Sequence, residues 1–392
     1  METEKLYDRD PFCRRFTAKV LECRERNGDF LVCLDRTAFY PEGGGQPADQ
    51  GTLGEARVWD VHEKEGVILH TCDRPLEAGT VVTGELDWKR RFDHMQAHSG
   101  EHIVSGLIHS LYGYDNVGFH MGAEWVTIDF NGPITEEQMA EVERRANEKI
   151  WEDGTVEVLY PTAEELAALE YRSKKELTGR VRIVRFPGAD TCACCGTHVV
   201  RAGQVGLVKL LSCQVFRSGV RMELLCGRRA LEYLSAAWEQ NREIGRALSV
   251  KGGETFRAVS RMKEELAQVK MKLTALENEG FARQAEEWRG KGDVLLFEKE
   301  LSPDAVRRSA IALSEVCGGR AAVFSGREGE YKYAIGLAGG DLRGLTKAMN
   351  AALGGRGGGK PDFVQGGVAA TEAEIRAFFE TYQETQTGGG RG

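Results

Sequence analysis

Along residues 1–88, apolar and polar positions alternate in short runs at 17–23, 29–34, 57–62, 67–72 and 81–86, and Gly, Asn, Asp or Pro separates each run from the next. Such alternation sends every second side chain to one face of a strand, and turns at this spacing predict a small β-barrel. The period changes near residue 89. Ile103, Leu107, Ile108 and Leu111 recur at helical spacing and stop at Gly113, so a helix is predicted over 89–112. A strand at 125–130 follows. Thr135-Glu-Glu-Gln138 is a capping box opening a helix that carries Met139, Val142, Ala146 and Ile150. Strands near 156–160 and 181–186 flank another capping box at 162–165, and 205–216 with 220–225 reads as a hairpin around Arg217. This order predicts an α+β domain over 89–230.

From 231 to 292 the pattern is long helix. Val259, Met262, Leu266, Val269, Leu273 and Leu276 repeat in alternating steps of three and four, interrupted upstream by Gly252-Gly253. That is a coiled-coil seam, which either closes an internal helical hairpin or pairs two copies of the chain. Residues 293–392 alternate strands near 294–297, 321–324 and 333–337 with helices near 303–316 and 342–353, an α/β unit ending in a glycine-rich tail at 388–392 expected to be disordered. The fold class is therefore α+β in four parts: barrel, α+β domain, helical linker and C-terminal α/β domain.

Composition narrows the setting. The chain has 392 residues, 41% hydrophobic and 29% charged, as in soluble domains. No stretch approaches the roughly 18 apolar residues of a membrane span, and the charged N-terminus lacks a secretory h-region, so a cytoplasmic protein is expected. The ten cysteines are then expected to be reduced, and the cluster Cys192-Ala193-Cys194-Cys195 is expected to bind metal. A net charge of −8 does not exclude RNA, because phosphate contacts need only a local basic patch.

Two short motifs carry the chemistry. His98-Ser-Gly-Glu-His102 sets two imidazoles one helical turn apart, on one face. Cys194-Cys195-Gly196-Thr197-His198 supplies a thiol and a third imidazole from a turn. Two pairs make the four N/S donors of a tetrahedral Zn2+ site. Cys192 and Cys195 are alternatives to Cys194, since C-x-x-C is a familiar zinc knuckle. His94 shares the helical face but is expected behind the ligands or at the surface. Glu101 is the one carboxylate near enough to both helical histidines to act as a base, and no base is assigned. A third stretch, 37–47, joins Thr37, Phe39 and Tyr40 to three glycines, Gly43, Gly44 and Gly45, and then Gln46. Adjacent glycines let a backbone approach a ligand closely.

Together the 37–47 stretch, the H-x-x-x-H pair and the C-x-x-x-H pair resemble the alanyl-tRNA editing proteins, relatives of the editing domain of alanyl-tRNA synthetase. The run 355–367, Gly-Arg-Gly-Gly-Gly-Lys-Pro-Asp-Phe-Val-Gln-Gly-Gly, resembles the glycine-rich motif of the DHH-associated domain. The resemblance covers nearly the whole chain. It implies hydrolysis of tRNA for alanine that carries serine, with glycine as the secondary amino acid, and Zn2+ held by His98, His102, Cys194 and His198. It further implies that 43–46 lines the pocket, that Thr37 contacts the serine hydroxyl, and that His120 lies at a pocket position. Cys195 departs from the glycine that the synthetase form often has there. A full synthetase is not expected, since the chain opens directly on the barrel. Candidate tRNA contacts are Lys89, Arg90 and Arg91 at the start of the ligand helix, Arg217 and Arg221 with Arg228 and Arg229 around the hairpin, and Arg356 and Lys360 in the C-terminal motif. A homodimer through the C-terminal half is expected, with no membrane or DNA partner. Two other readings stay open: an inverted zinc peptidase of the H-x-x-E-H type, with Glu101 as base, and a tRNA-binding protein whose zinc is structural.

Overall fold

The computed structural model describes residues 2–173 and 181–382; the glycine-rich tail at 388–392 lies outside them. The chain divides into two compact units, Met1–Glu243 and Ile244–Gly392.

In the first unit the alternating runs become strands that pair in a closed barrel in the order Arg15–Arg26, Asp29–Leu34, Val67–Cys72, Ala56–Lys64, Gly51–Leu53 and Val81–Leu86. Every second side chain along Arg15–Val20 points inward, and Phe16, Val20, Val32, Leu34, Phe39, Val58, Val61 and Ile68 fill the interior. The helix Trp88–Tyr112 follows directly. Asp87 caps it, accepting from the Arg90 backbone N–H at 3.1 Å, and Gly113 ends it in the left-handed conformation. Every residue from His94 to Ile108 on this helix is buried. It packs against the helix Glu136–Trp151 and the strands Asn116–Met121, Asp190–Ala193 and Gly219–Cys226. The domain core is Met95, Ile103, Val104 and Ile108 of the helix against Ile128, Phe130, Val142, Ile150, Met222 and Leu224. Both capping boxes form, at Thr135–Gln138 and at Thr162–Glu165.

The four-stranded sheet of this unit runs Val208–Phe216, Gly219–Cys226, Val126–Phe130, Asn116–Met121, all antiparallel. Its last strand has no counterpart in the sequence reading: Val117, Phe119 and Met121 do alternate, but the run is short and contains Gly118, a residue depleted in strands.

In the second unit the helix Thr255–Glu287 leads into a five-stranded sheet. The strand order is Gly292–Glu298, Gly318–Arg327, Glu330–Gly336, Phe363–Val368, Arg356–Lys360, parallel in the first pair and antiparallel thereafter. The seam residues Val259, Met262, Leu266, Val269, Leu273 and Leu276 are 42–66% exposed. The far end of the same helix is packed: Phe281 and Ala285 are buried, and Arg308 of the helix Pro303–Ser314 pairs with Glu277.

Candidate metal centre

The ligand helix brings His98 and His102 to one face, with 3% and 2% of each residue exposed. The turn after the strand Asp190–Ala193 brings Cys194 and His198 against them. The four donor atoms lie within 4.8 Å of one another. The Cys194 Sγ is 3.5 Å from His98 Nε2 and 3.3 Å from His198 Nε2. A tetrahedral ion with bonds of about 2.3 Å to sulfur and about 2.0 Å to nitrogen has sulfur–nitrogen edges of about 3.5 Å, which the Cys194 contacts with His98 and His198 match. Charge agrees. Burial alone would keep the Cys194 thiol protonated, but His98 and His198 beside it hold its pKa well below the ordinary value, which favours the ligating thiolate. Burial also works against a charge on His102, yet Asp190 and Cys194 raise that ring to about 9. His198 is pushed down to about 3 by burial and by His98.

Each imidazole is held from behind at Nδ1, leaving Nε2 for the ion. His98 Nδ1 lies 2.9 Å from Gln46 Oε1, His102 Nδ1 2.8 Å from Asp190 Oδ2, and His198 Nδ1 3.4 Å from Ser99 Oγ. The amide and carboxylate oxygens can only accept, so His98 and His102 donate from Nδ1. Gly196 makes the close approach possible: a Cβ there would sit 2.1 Å from His98 Cε1.

The glycine stretch forms a two-residue hairpin turn. Gly43 and Gln46 exchange backbone hydrogen bonds of 3.0 Å each way, and Gly44 and Gly45 have φ of 62° and 85°, the pattern of a type I′ turn. A Cβ on Gly45 would lie 2.6 Å from the Phe119 carbonyl oxygen. That closeness lets Gly45 accept from the Met121 N–H at 3.0 Å. Gln46 is fully buried. Its Nε2 donates to Thr197 Oγ1 at 2.8 Å, and its Oε1 accepts from the Thr197 N–H at 3.2 Å as well as from His98. The amide expected to meet substrate is therefore committed to the metal cluster.

Other candidate residues fall elsewhere than expected. His120 is exposed and points away from the cluster, because its strand neighbours Phe119 and Met121 take the inward face. Phe119 stacks on His98 at 5.0 Å between ring centres. Thr37 is fully buried. Its hydroxyl lies 2.8 Å from His70 Nε2 and accepts from the Phe39 N–H at 3.1 Å. Since His70 Nδ1 faces the Val32 carbonyl at 3.1 Å, that nitrogen carries the proton and Nε2 accepts from Thr37. Thr37 is thus held inside the barrel and is not a free reader of a substrate hydroxyl. Arg91 is fully buried too, donating to Asp49 and to the carbonyls of Pro11 and Ala38, which removes it from the tRNA contacts. Glu101 is buried, and its Oε1 accepts both from Ser105 at 2.7 Å and from Asn116 at 2.5 Å. His94 is buried, and burial together with Arg90 and Arg229 lowers its pKa to about 3. Among the alternative thiols, Cys195 is exposed, and Cys192 is grouped with His102 and Asp190. Lys89, Arg217, Arg356 and Lys360 are exposed, and Arg221 is partly exposed while paired with Asp129 at 2.7 Å.

Asp190, Arg172, Ser99, Phe119 and His70 are the functional neighbours that sequence reasoning missed. None stands in a recognisable motif except Ser99, which lies inside the H-x-x-x-H run.

Comparisons with known proteins agree with this geometry. Residues 13–90 match the class II (A) tRNA synthetases, residues 181–221 match the threonyl and alanyl tRNA synthetase second additional domain, and residues 291–387 match the DHHA1 domain. The second of these holds Cys194 and His198. The chain is 29% identical over 404 residues to the alanyl-tRNA editing protein AlaX-L of Pyrococcus horikoshii, covering 95% of this chain and 96% of that protein. It is 32% identical over 269 residues to the alanyl-tRNA editing protein Aarsd1-A of Xenopus laevis, covering 67% of this chain and 65% of that one. It is 32% identical over 402 residues to the alanine–tRNA ligase of Pyrococcus abyssi, of which it spans 42%. With its DHHA1 unit in place, the chain belongs to the alanyl-tRNA editing proteins in their long form.

Proposed function

We propose that this chain hydrolyses the ester that joins a wrong amino acid, serine and in some cases glycine, to tRNA for alanine, at a zinc ion held by His98, His102, Cys194 and His198. The carrying observation is the convergence of three Nε2 atoms and one thiol within 4.8 Å, beside a glycine hairpin docked on the Phe119 strand. A pocket selective for alanine rejects serine by only about 10² on binding, so a second site is needed, and a site that hydrogen-bonds the extra hydroxyl gains far more. When bound, zinc supplies a Lewis acid for the ester carbonyl or for water. The residues themselves supply aim and exclusion. Gln46 fixes His98 and Thr197 together, Ser99 backs His198, and Phe119 covers the His98 ring. With Thr37 held by His70 and the Phe39 N–H, the hydroxyl reader is another group, and no general base is assigned.

In the first unit exposed Lys89 and Arg217, with Arg90 and Arg221, are candidates to hold the acceptor end; in the second, exposed Arg356 and Lys360 are candidates for phosphate contacts of their own. We retain the four-part division at 88, 230 and 292 as a functional one: barrel, editing domain, helical linker and DHHA1-type unit. Among the described residues no helix is long and apolar enough to cross a membrane. The peptidase reading gains nothing from the structure, since Glu101 faces Ser105 and Asn116.

The test is deacylation of serine-, glycine- and alanine-charged tRNA, with and without a chelator. We expect seryl-tRNA to be cleaved, alanyl-tRNA to survive, and chelator to abolish cleavage until zinc is restored. Zinc-loaded protein that leaves seryl-tRNA intact defeats the proposal.

A further inference from the structure

The three histidines of the metal centre are backed by different groups, and the one behind His102 is a built pair. Both oxygens of Asp190 are used. Oδ2 accepts from His102 Nδ1 at 2.8 Å and from Arg172 Nη2 at 2.9 Å, and Oδ1 accepts from Arg172 Nε at 2.8 Å. The side chains of Asp190 and His102 are 1% and 2% exposed, and that of Arg172 is 11% exposed. Backbone bonds hold the two partners in register. The Arg172 N–H donates to the Thr191 carbonyl at 2.8 Å, and the Arg172 carbonyl accepts from the Ala193 N–H at 2.9 Å, a one-residue parallel bridge opposite Cys192. Arg172 thus reaches the carboxylate from a segment docked on the strand that carries it.

We propose that Arg172 and Asp190 form a positioning pair that fixes the aim and tautomer of His102 and so sets the metal affinity of the site; this rests on the metal reading above. A carboxylate behind an imidazole orients it only if its own plane is fixed. The two-pronged guanidinium fixes that plane, because both oxygens are held in the fork geometry that arginine alone provides. It also offsets the buried negative charge, which would otherwise be costly beside a low-dielectric core. Arg172 supplies no donor to the cluster, and its guanidinium bonds toward the site go to Asp190, so its effect on the aim of His102 passes through that carboxylate. Two effects that share one route do not multiply.

That gives a signature distinct from general destabilisation. The zinc dissociation constant of the full chain is measured by competition with a chromophoric chelator, for wild type, Asp190→Asn, Arg172→Met and the double variant. Absorption of the cobalt-loaded proteins is recorded in parallel, and far-UV circular dichroism checks the fold. We expect Asp190→Asn to weaken zinc about 10–100-fold, the usual effect of removing such a partner, and to alter the cobalt bands. Arg172→Met should weaken zinc by a smaller factor, and the double variant should bind no more weakly than Asp190→Asn. Zinc affinity within twofold of wild type for Asp190→Asn, or effects that multiply in the double variant, overturns the pairing. If Asp190→Asn does not fold, Arg172→Lys takes its place. It keeps the buried charge but loses the fork, so weaker zinc with unchanged dichroism supports the pairing and unchanged zinc refutes it. A wild type that binds no zinc would instead sink the metal reading itself.

Discussion

Cys194 and Cys195 are neighbours of one chemical type with opposite surroundings. Cys194 faces three imidazoles and is held toward the thiolate, whereas Cys195, exposed as a residue but with its thiol partly desolvated and next to Cys194, is raised. Replacing Cys194 with alanine should therefore abolish bound zinc, measured by elemental analysis of protein dialysed against a dilute chelator. Cys195→Ala should retain it. Zinc missing from both variants, or from Cys195→Ala alone, would reassign the ligand. His70 makes a different prediction. Complete burial, opposed only by its bond to Val32, lowers its pKa from 6.5 to about 4. In the unfolded chain the ring gains a proton as pH falls through about 6.5, while in the folded chain it stays neutral down to about 4. The unfolded state binds more protons across that window, so stability should fall as pH drops from 6.5 toward 4, by about 1.4 kcal/mol per unit from this group. His70→Asn should show a shallower decline in urea-unfolding midpoint over the same window. An equal slope in both proteins would remove His70 from the acid response.

At the scale of elements, the glycine hairpin and the seam helix show how a local pattern gains its meaning from what packs on it. Gly44 and Gly45 serve a type I′ turn, and Gly45 also clears the Phe119 backbone, so the turn doubles as the link between barrel and metal domain. The helix Thr255–Glu287 has the reverse problem: a regular apolar row with water along much of it. Rows of this kind pair with another helix, and flanking charges choose the partner and direction. In a parallel, in-register pair of identical chains, Glu265 of one copy would face Lys270 of the other on both sides of the seam, a match that the antiparallel arrangement replaces by facing Lys263 and Lys270. We therefore expect the full chain to run as a dimer in light scattering after size exclusion, and Leu266→Glu to convert it to a monomer of unchanged helicity. A wild type that is monomeric at tens of micromolar protein would leave the row without this role.

For the molecule as a whole, the sequence carried most of the regular parts and the four side chains that the fold gathers into a candidate metal cluster, because both are local patterns: alternation, helical spacing, and residue pairs four apart. It did not carry what the fold creates between distant segments. Gln46 reaches His98 across 52 residues, Asp190 reaches His102 across 88, and Arg91 crosses to Ala38 and Asp49, so Gln46 reads as a substrate group, Arg91 as a tRNA contact and Asp190 as nothing at all until the chain is folded. The strands Arg356–Lys360 and Phe363–Val368 were legible as a glycine motif but not as strands, since glycine is depleted in sheets and the exposed residues of the edge strand bury nothing to betray the alternation. The same separation of local from distant pairings bears on how labour is divided. Each compact unit has cores of its own, built on Ile103, Ile128 and Met222 in the first and on Phe324, Ile335 and Met349 in the second, and all metal donors with their backing groups lie before residue 243. The basic, glycine-rich edge strand lies wholly in the second. A chain cut after Ala247, where the helix Gly227–Ala247 ends, should fold, keep its zinc stoichiometrically and still cleave seryl-tRNA at saturating substrate. Its affinity for tRNA should fall, and the dependence of that affinity on salt should flatten, because every phosphate that is no longer neutralised takes about 0.7–0.9 off the slope of log K against log salt. Filter binding at several salt concentrations measures both. A shortened chain with the affinity and salt slope of the full protein would show that Arg356 and Lys360 do not touch the tRNA, and would place the whole of recognition on the unit that carries the metal.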